Sequence, residues 1–170
     1  MTAGAFEAAT GDGPPPASGR GDPHLASLPG GGDAEQRSRE VRAAFEGLLQ
    51  IRRTMNRRGA DPRALPADWE RRQPVRAVAL ALEAAGITPS AVDAVGERIA
   101  TGYRVSAADR PEAVVVEWVG PPGSGAAHEE EAALGACVPV LDRLGWEALL
   151  YRGPRKRRFL EVEAVRPDVR

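Results

Sequence analysis

Ala113-Val-Val-Val-Glu-Trp-Val119 is the densest β-branched and aromatic run in the chain, and Gly120-Pro-Pro-Gly-Ser-Gly125 follows it directly. Val114, Val116 and Trp118 alternate with Val115, Glu117 and Val119, the period of a strand with one buried face. The Gly/Pro cluster breaks that strand. Glu129, Glu130 and Glu131 then suit the N-terminus of a helix over residues 127–144, because carboxylates complement the helix dipole there. Leu134, Cys137, Val138, Leu141 and Leu144 supply its buried face. Pro139 lies off that face and is expected to kink the helix toward solvent, and Gly145 closes it.

Strands flank this unit on both sides. Residues 102–107, with Tyr103 and Val105 alternating against Arg104 and Ser106, pair with 112–119 around Asp109-Arg110-Pro111. Downstream, Trp146–Arg152 and Arg157–Val162 form a second hairpin around Gly153-Pro154-Arg155-Lys156. The order is therefore ββαββ.

Three helices are expected upstream. The first covers 34–58, with Asp33 as cap and Gln36 completing a capping box; Val41, Phe45, Leu48, Ile51 and Met55 fall near one face, and Gly59 terminates it. Residues 60–73 form a proline-punctuated connector with a short turn around Ala67–Arg72, Trp69 joining a satellite core. Pro74 opens the second helix, 74–85, which Gly86 ends. Thr88-Pro89 reads as an N-cap with proline at the first helical position, predicting a third helix over 89–100 with Val92, Val95 and Ile99 on its apolar face. The fold class is α+β: three N-terminal helices followed by a ββαββ unit forming a mainly antiparallel four-stranded sheet. A single domain spans 33–164. Residues 1–32, rich in Gly, Pro and Ala, are expected to be disordered, because they bury too little surface to offset ordering entropy, and residues 165–170 to fray.

The 170 residues carry a formal net charge of −1, which gives no whole-chain electrostatic case for nucleic acid or membrane. Locally, residues 37–76 hold eleven Arg against five acidic residues, while 77–170 are net acidic. Arg almost wholly replaces Lys, Lys156 being the exception, and Ala, Gly and Pro abound, as in high-GC bacteria; Arg content is then a weak functional clue. One cysteine, Cys137, excludes an internal disulfide and a multi-cysteine metal site. The N-terminus has no secretory signal pattern, and the longest apolar run, Ala77–Leu82, is far too short to cross a membrane. The expected location is cytoplasmic.

Strand, Gly120-Pro-Pro-Gly-Ser-Gly125, helix has the spacing of a phosphate-binding loop. That chemistry needs a Lys on the phosphates and a Ser or Thr on Mg²⁺, where this chain has Ala126 and Ala127. Glu129–Glu131 would repel a phosphate, and too little chain follows for further parallel strands. The segment 74–100 could also form the helix–turn–helix of a winged helix, yet Ser90, Asp93, Glu97 and Arg98 make the would-be recognition helix net acidic. Catalytic pairs are thin. His24 sits in the N-terminal tail, and His128 and Cys137 are roughly 13 Å apart along one helix. Cys137 reads as a small core hydrophobe. No catalytic, cofactor-binding or metal-ligating residue is assigned, and an enzyme is the less favoured class.

The strongest local charge cluster is the second hairpin's tip, Arg152, Arg155, Lys156, Arg157 and Arg158, flanked by Tyr151 and Phe159. With Arg52, Arg53, Arg57 and Arg58 at the basic end of the first helix, it forms the candidate for nucleic-acid contact without sequence choice. The opposing account is a solvated turn whose charge guards a sheet edge, and a helix end whose cations complement its dipole. The leading expectation is a non-enzymatic cytoplasmic module that binds another macromolecule, a protein partner or a second copy, with no cofactor and no membrane; the alternative is nucleic-acid binding through the two Arg clusters. An uncovered face of the Val/Trp sheet would supply the protein-binding patch.

Overall fold

The computed structural model describes residues 6–16, 31–57 and 61–166. Helix α1 spans Gly31–Met55, a 3₁₀ turn Pro62–Ala64, α2 Asp68–Arg72 and α3 Pro74–Ala84. A two-stranded ribbon follows, β1 Ala91–Val92 with β2 Arg98–Ala100. Then come β3 Gly102–Ala107, β4 Val114–Val119, α4 Ala126–Arg143, β5 Trp146–Arg152 and β6 Arg158–Ala164. The class is α+β, helices followed by antiparallel sheets. The main sheet has the order β3-β4-β6-β5, and all its pairs are antiparallel.

Alternation along the strands sorts the sheet into two faces. Tyr103, Val105, Val114, Val116, Leu160, Val162 and Trp146 point to the face covered by α3 and α4, where they meet Val78, Leu82, Leu134, Cys137 and Leu141 in one buried cluster. The opposite face is lined with charge: Arg104 pairs with Glu117 (3.5 Å), and Arg110 reaches Glu161 and, at 3.5 Å, Glu163. Burial pushes the Cys137 thiol up to about 11, in keeping with a packing role. Among the described residues no helix is long and apolar enough to cross a membrane.

The expected third helix over 89–100 does not form. Tyr103 N–H donates to the Thr88 carbonyl (2.9 Å) and Ser90 N–H to the Tyr103 carbonyl (2.9 Å), so the chain around Thr88-Pro89 enters a ladder with β3 instead of capping a helix. The Asp93 carboxylate accepts from the amides of Val95 (3.0 Å) and Glu97 (2.9 Å), closing a turn in which Gly96 takes φ +87°. Short local bonds to Asp and the β preference of Val92 and Ile99 outweigh the helical spacing. A recognition helix is thereby absent from this segment.

The N-terminal expectation also changes. Residues 6–16, expected to be disordered within 1–32, lie along β3 as an extended strap. Val105 N–H donates to Thr10 O (2.7 Å), Tyr103 Oη–H to Ala9 O (2.8 Å), and Val92 N–H to Gly13 O (3.0 Å). Phe6 lies 4.7 Å beneath the Arg37 guanidinium, and Asp12 sits between Arg98 (2.9 Å) and Arg104 (2.8 Å). Composition understates such a segment because its anchors are main-chain bonds and two ion pairs, which apolar content does not register. Gly11 is required here: its φ is +91°, and a Cβ would stand 2.2 Å from the Tyr103 carbonyl. Residues 1–5 and 17–30, with His24, lie outside the described residues, as do Gly59 and 167–170. Val165, expected to fray, donates its N–H to Gly145 O (2.9 Å).

Helix α1 turns differently from its expected face. Val41 and Leu48 are buried and Phe45 half-buried, but Ile51 and Met55 are exposed. Counting four residues on from Leu48 brings Arg52 to the interior instead. Its Nε and Nη2 grip the Glu70 carboxylate (2.8 and 2.7 Å), while Nη1 donates to the carbonyls of Arg63 (2.7 Å) and Leu144 (2.8 Å). Glu70 also accepts from the Ala67 amide (2.8 Å) at the start of α2.

Removing one member of this pair strands a buried charge, so Arg52→Ala should cost about 3–5 kcal/mol in denaturant unfolding, and Arg52→Met with Glu70→Leu clearly less than either single change. The strap should be acid-labile. Partial burial raises the Asp12 carboxyl, but the hydrogen bonds and charges of Arg104 and Arg98 outweigh it and hold Asp12 below its ordinary value. A depressed carboxyl stabilises above its unfolded value and is lost as pH falls through the folded one. Below about pH 4 the amide resonances of Val92 and Val105, which donate to the strap carbonyls of Gly13 and Thr10, should therefore shift as the strap loosens, and Asp12→Asn should remove that step.

Candidate interaction edge and basic hairpin tip

The β5–β6 hairpin holds the candidate site. Residues pair from Trp146↔Ala164 at one end to Arg152↔Arg158 at the other. Two non-glycine residues, Arg155 and Lys156, turn the tip with φ of 59° and 61°. Behind the tip, β4 pairs with β6 only over Val114–Val116. Past that point the two strands diverge, and Arg157 bridges the gap: Nε donates to the Glu130 carboxylate (2.9 Å) and Nη2 to the Trp118 carbonyl (3.3 Å). Glu130, buried in the first turns of α4, also accepts the Arg158 amide, and the Arg158 side chain meets Glu131 (3.1 Å). The acidic start of α4 thus neutralises two of the tip's five cations.

The tip and helix residues singled out by charge separate into different roles. Arg152, Arg155 and Lys156 are exposed with no acidic partner within ion-pair distance among the described residues. Arg157 and Arg158 are committed to α4. Arg53 and Arg57 are exposed near the end of α1, Arg57 reaching back to the Thr54 carbonyl (3.4 Å). Arg58 lies outside the described residues. Arg52 is a correction: at 1 % exposure it cannot meet a phosphate, because its donors are spent on Glu70 and two carbonyls. Nor does Arg52 lie near the tip. Arg52 bonds Leu144 O beside the start of β5, and the tip lies beyond its other end, about 20 Å along the strand.

The glycine-rich segment leads from β4 to α4 and, with Glu97, Arg98, His128 and Arg157, lines an open cleft of about 610 Å³. Ala126 and Ala127 stand where a phosphate loop would need Lys and Ser or Thr. Both arginines that line the cleft are already held, Arg157 by Glu130 and Arg98 by Asp12, so neither is free to serve a phosphate cradle.

What charge and motif searching missed is the edge itself. The two edges of the main sheet are treated differently. The outer side of β3 is occupied by Thr88–Ser90 and by Thr10 of the strap. β5 is the other edge, with no strand beyond it among the described residues. On it Leu149, Leu150 and Tyr151 are 47 %, 47 % and 44 % exposed, and Tyr151 stacks on Phe159 with ring centroids 5.8 Å apart. The signal was present in the sequence: a strand with one wet face alternates, whereas Ala148-Leu149-Leu150-Tyr151 is apolar on both faces. The bonds from Val165 N–H to Gly145 O and from Gly153 N–H to Arg157 O turn the odd-numbered residues of β5 toward β6. The amides and carbonyls of Ala148, Leu150 and Arg152 therefore face outward.

No family model, curated protein or solved structure matches this chain.

The tip should behave as two populations under mutation. Arg157→Ala leaves the buried Glu130 carboxylate short of a donor and should destabilise by about 1–3 kcal/mol. Arg155→Ala should stay within about 0.5 kcal/mol of the parent. Thermal unfolding of both variants beside the parent protein measures the difference.

Proposed function

We propose that this chain is a non-enzymatic cytoplasmic interaction module that binds protein by strand addition along β5. One observation carries the proposal: a seven-residue edge strand with outward-facing main-chain groups at Ala148, Leu150 and Arg152, bordered by exposed Leu149, Leu150 and Tyr151. Main-chain bonds supply affinity in such additions, and side chains on the two faces supply selectivity. The covered β3 edge strengthens the reading, since one edge is closed by the chain itself and the other is left with apolar groups in water.

The nucleic-acid reading draws less support. It keeps Arg152, Arg155 and Lys156 beside the Tyr151–Phe159 stack, but loses Arg52 to the interior, and Arg157 and Arg158 to the carboxylates of α4. Arg52 itself bonds the Leu144 carbonyl just before β5, at the end of the hairpin away from the tip.

Affinity capture from the native cytoplasm decides between the two. Partners retained by the parent protein and by Arg155→Ala, yet lost with the edge-blocked double variant Leu149→Lys/Tyr151→Lys, are the expected result. Equal capture by parent and edge-blocked protein would overturn the proposal. So would capture of nucleic acid that weakens steeply with salt and disappears in Arg155→Ala.

A further inference from the structure

The chemistry of β5 is complementary to itself. An antiparallel partner related by a two-fold axis normal to the sheet keeps like faces together, so residues of equal parity must lie opposite each other. Main-chain bonding adds a second condition: the paired residues must be those whose polar groups face outward, which are the even-numbered ones. An axis through Leu150 meets both conditions. Leu150 then stands opposite Leu150 of the second copy, on the helix-covered side of the sheet, and Leu149 opposite Tyr151 on the other side. Each of the three exposed apolar side chains of the strand is matched with another of them.

The same register matches charge. Glu147, exposed and without an ion-pair partner among the described residues, comes beside Gly153 of the second copy, at the root of the tip that carries Arg152, Arg155 and Lys156. These cations also lack acidic partners within ion-pair distance among the described residues. Ala148 lies opposite Arg152, a small residue facing a long one, so the stem of the arginine has room. About six main-chain hydrogen bonds would close across the axis, and the two four-stranded sheets would run on as one.

We infer that the partner taken by the β5 edge is a second copy of this chain, paired antiparallel about Leu150. The inference rests on the strand-addition reading and names its occupant. A heterologous protein on the same edge is the competing outcome.

The test is a single cysteine on the axis of the full-length protein. The native Cys137 is buried and stays out of the reaction. Leu150→Cys places two thiols across a directly paired position, where the Cα separation of about 5.5 Å suits a disulfide. Glu147→Cys places them about 20 Å apart in this register. Mild oxidation should give a covalent dimer with Leu150→Cys and none with Glu147→Cys. Sedimentation of the reduced parent protein should show a reversible dimer whose dissociation constant rises at least about tenfold in Leu150→Lys, with circular dichroism confirming that the variant is folded. A dimer that persists in folded Leu150→Lys, or that cross-links no better at 150 than at 147, overturns the inference. A monomer at every concentration also overturns it. If the edge-blocked variant still loses captured partners in that case, strand addition stands with another protein as the occupant. If it loses none, both ideas fall.

Discussion

The Arg52–Glu70 pair is the constraint on which the N-terminal half depends. A guanidinium and a carboxylate, 1 % and 0 % exposed, are tolerable inside a protein only when their hydrogen-bonding capacity is nearly spent. Here it is spent on four different pieces of chain. Arg52 belongs to α1, Glu70 to α2, Arg63 to the turn between them, and Leu144 to the end of α4. The pair thereby ties those four pieces to one another through directional bonds. Its reach to Leu144 matters most for the sheet. Gly145 follows in a left-handed conformation, where a Cβ would stand 2.2 Å from the Ala64 carbonyl, and β5 starts at the next residue. The helical layer thereby sets where the edge strand begins.

The strands and most of the helices were legible because their patterns are local. Tyr103 and Val105, Val114 to Trp118, and the glycines ending α3 and α4 each carry their structure in spacing or in a backbone requirement. Thr88-Pro89 misled because a cap followed by proline is equally compatible with a ladder residue beside a sheet edge. What decides is Tyr103, fifteen residues away and irrelevant to any local window. Arg52 misled for a related reason. Helical geometry pointed it inward, but an arginine is expected in solvent unless its partner is known, and Glu70 becomes its partner only after the connector folds back. The strap of residues 6–16 was hidden because its own carbonyls and Asp12 are met by donors contributed by distant positions.

Much of the candidate site could be read as charge, and charge was the weaker guide. The basic tip is real, yet the triplet Glu129–Glu131 that suited a helix start also supplies the carboxylates that occupy Arg157 and Arg158. A helix N-terminus and a hairpin turn that look independent in sequence are thus one electrostatic unit. The apolar run at 148–151 was the more informative feature. Its meaning depended on strand order, since the same four residues in a central strand would be ordinary core. Only the order β3-β4-β6-β5 turns them into a surface.

That order, together with the strap on β3, gives the sheet a valence. A sheet bare on both sides is a bifunctional monomer, and edge association then propagates without limit, as in fibrils. Here one side is terminated by the chain's own Thr10 and Thr88–Ser90, leaving β5 as the one open edge of the main sheet among the described residues. A monofunctional unit cannot polymerise through its edges; it can only form a closed pair or take one guest. Eleven residues at the N-terminus, by occupying β3, therefore act as a chain terminator for the whole molecule.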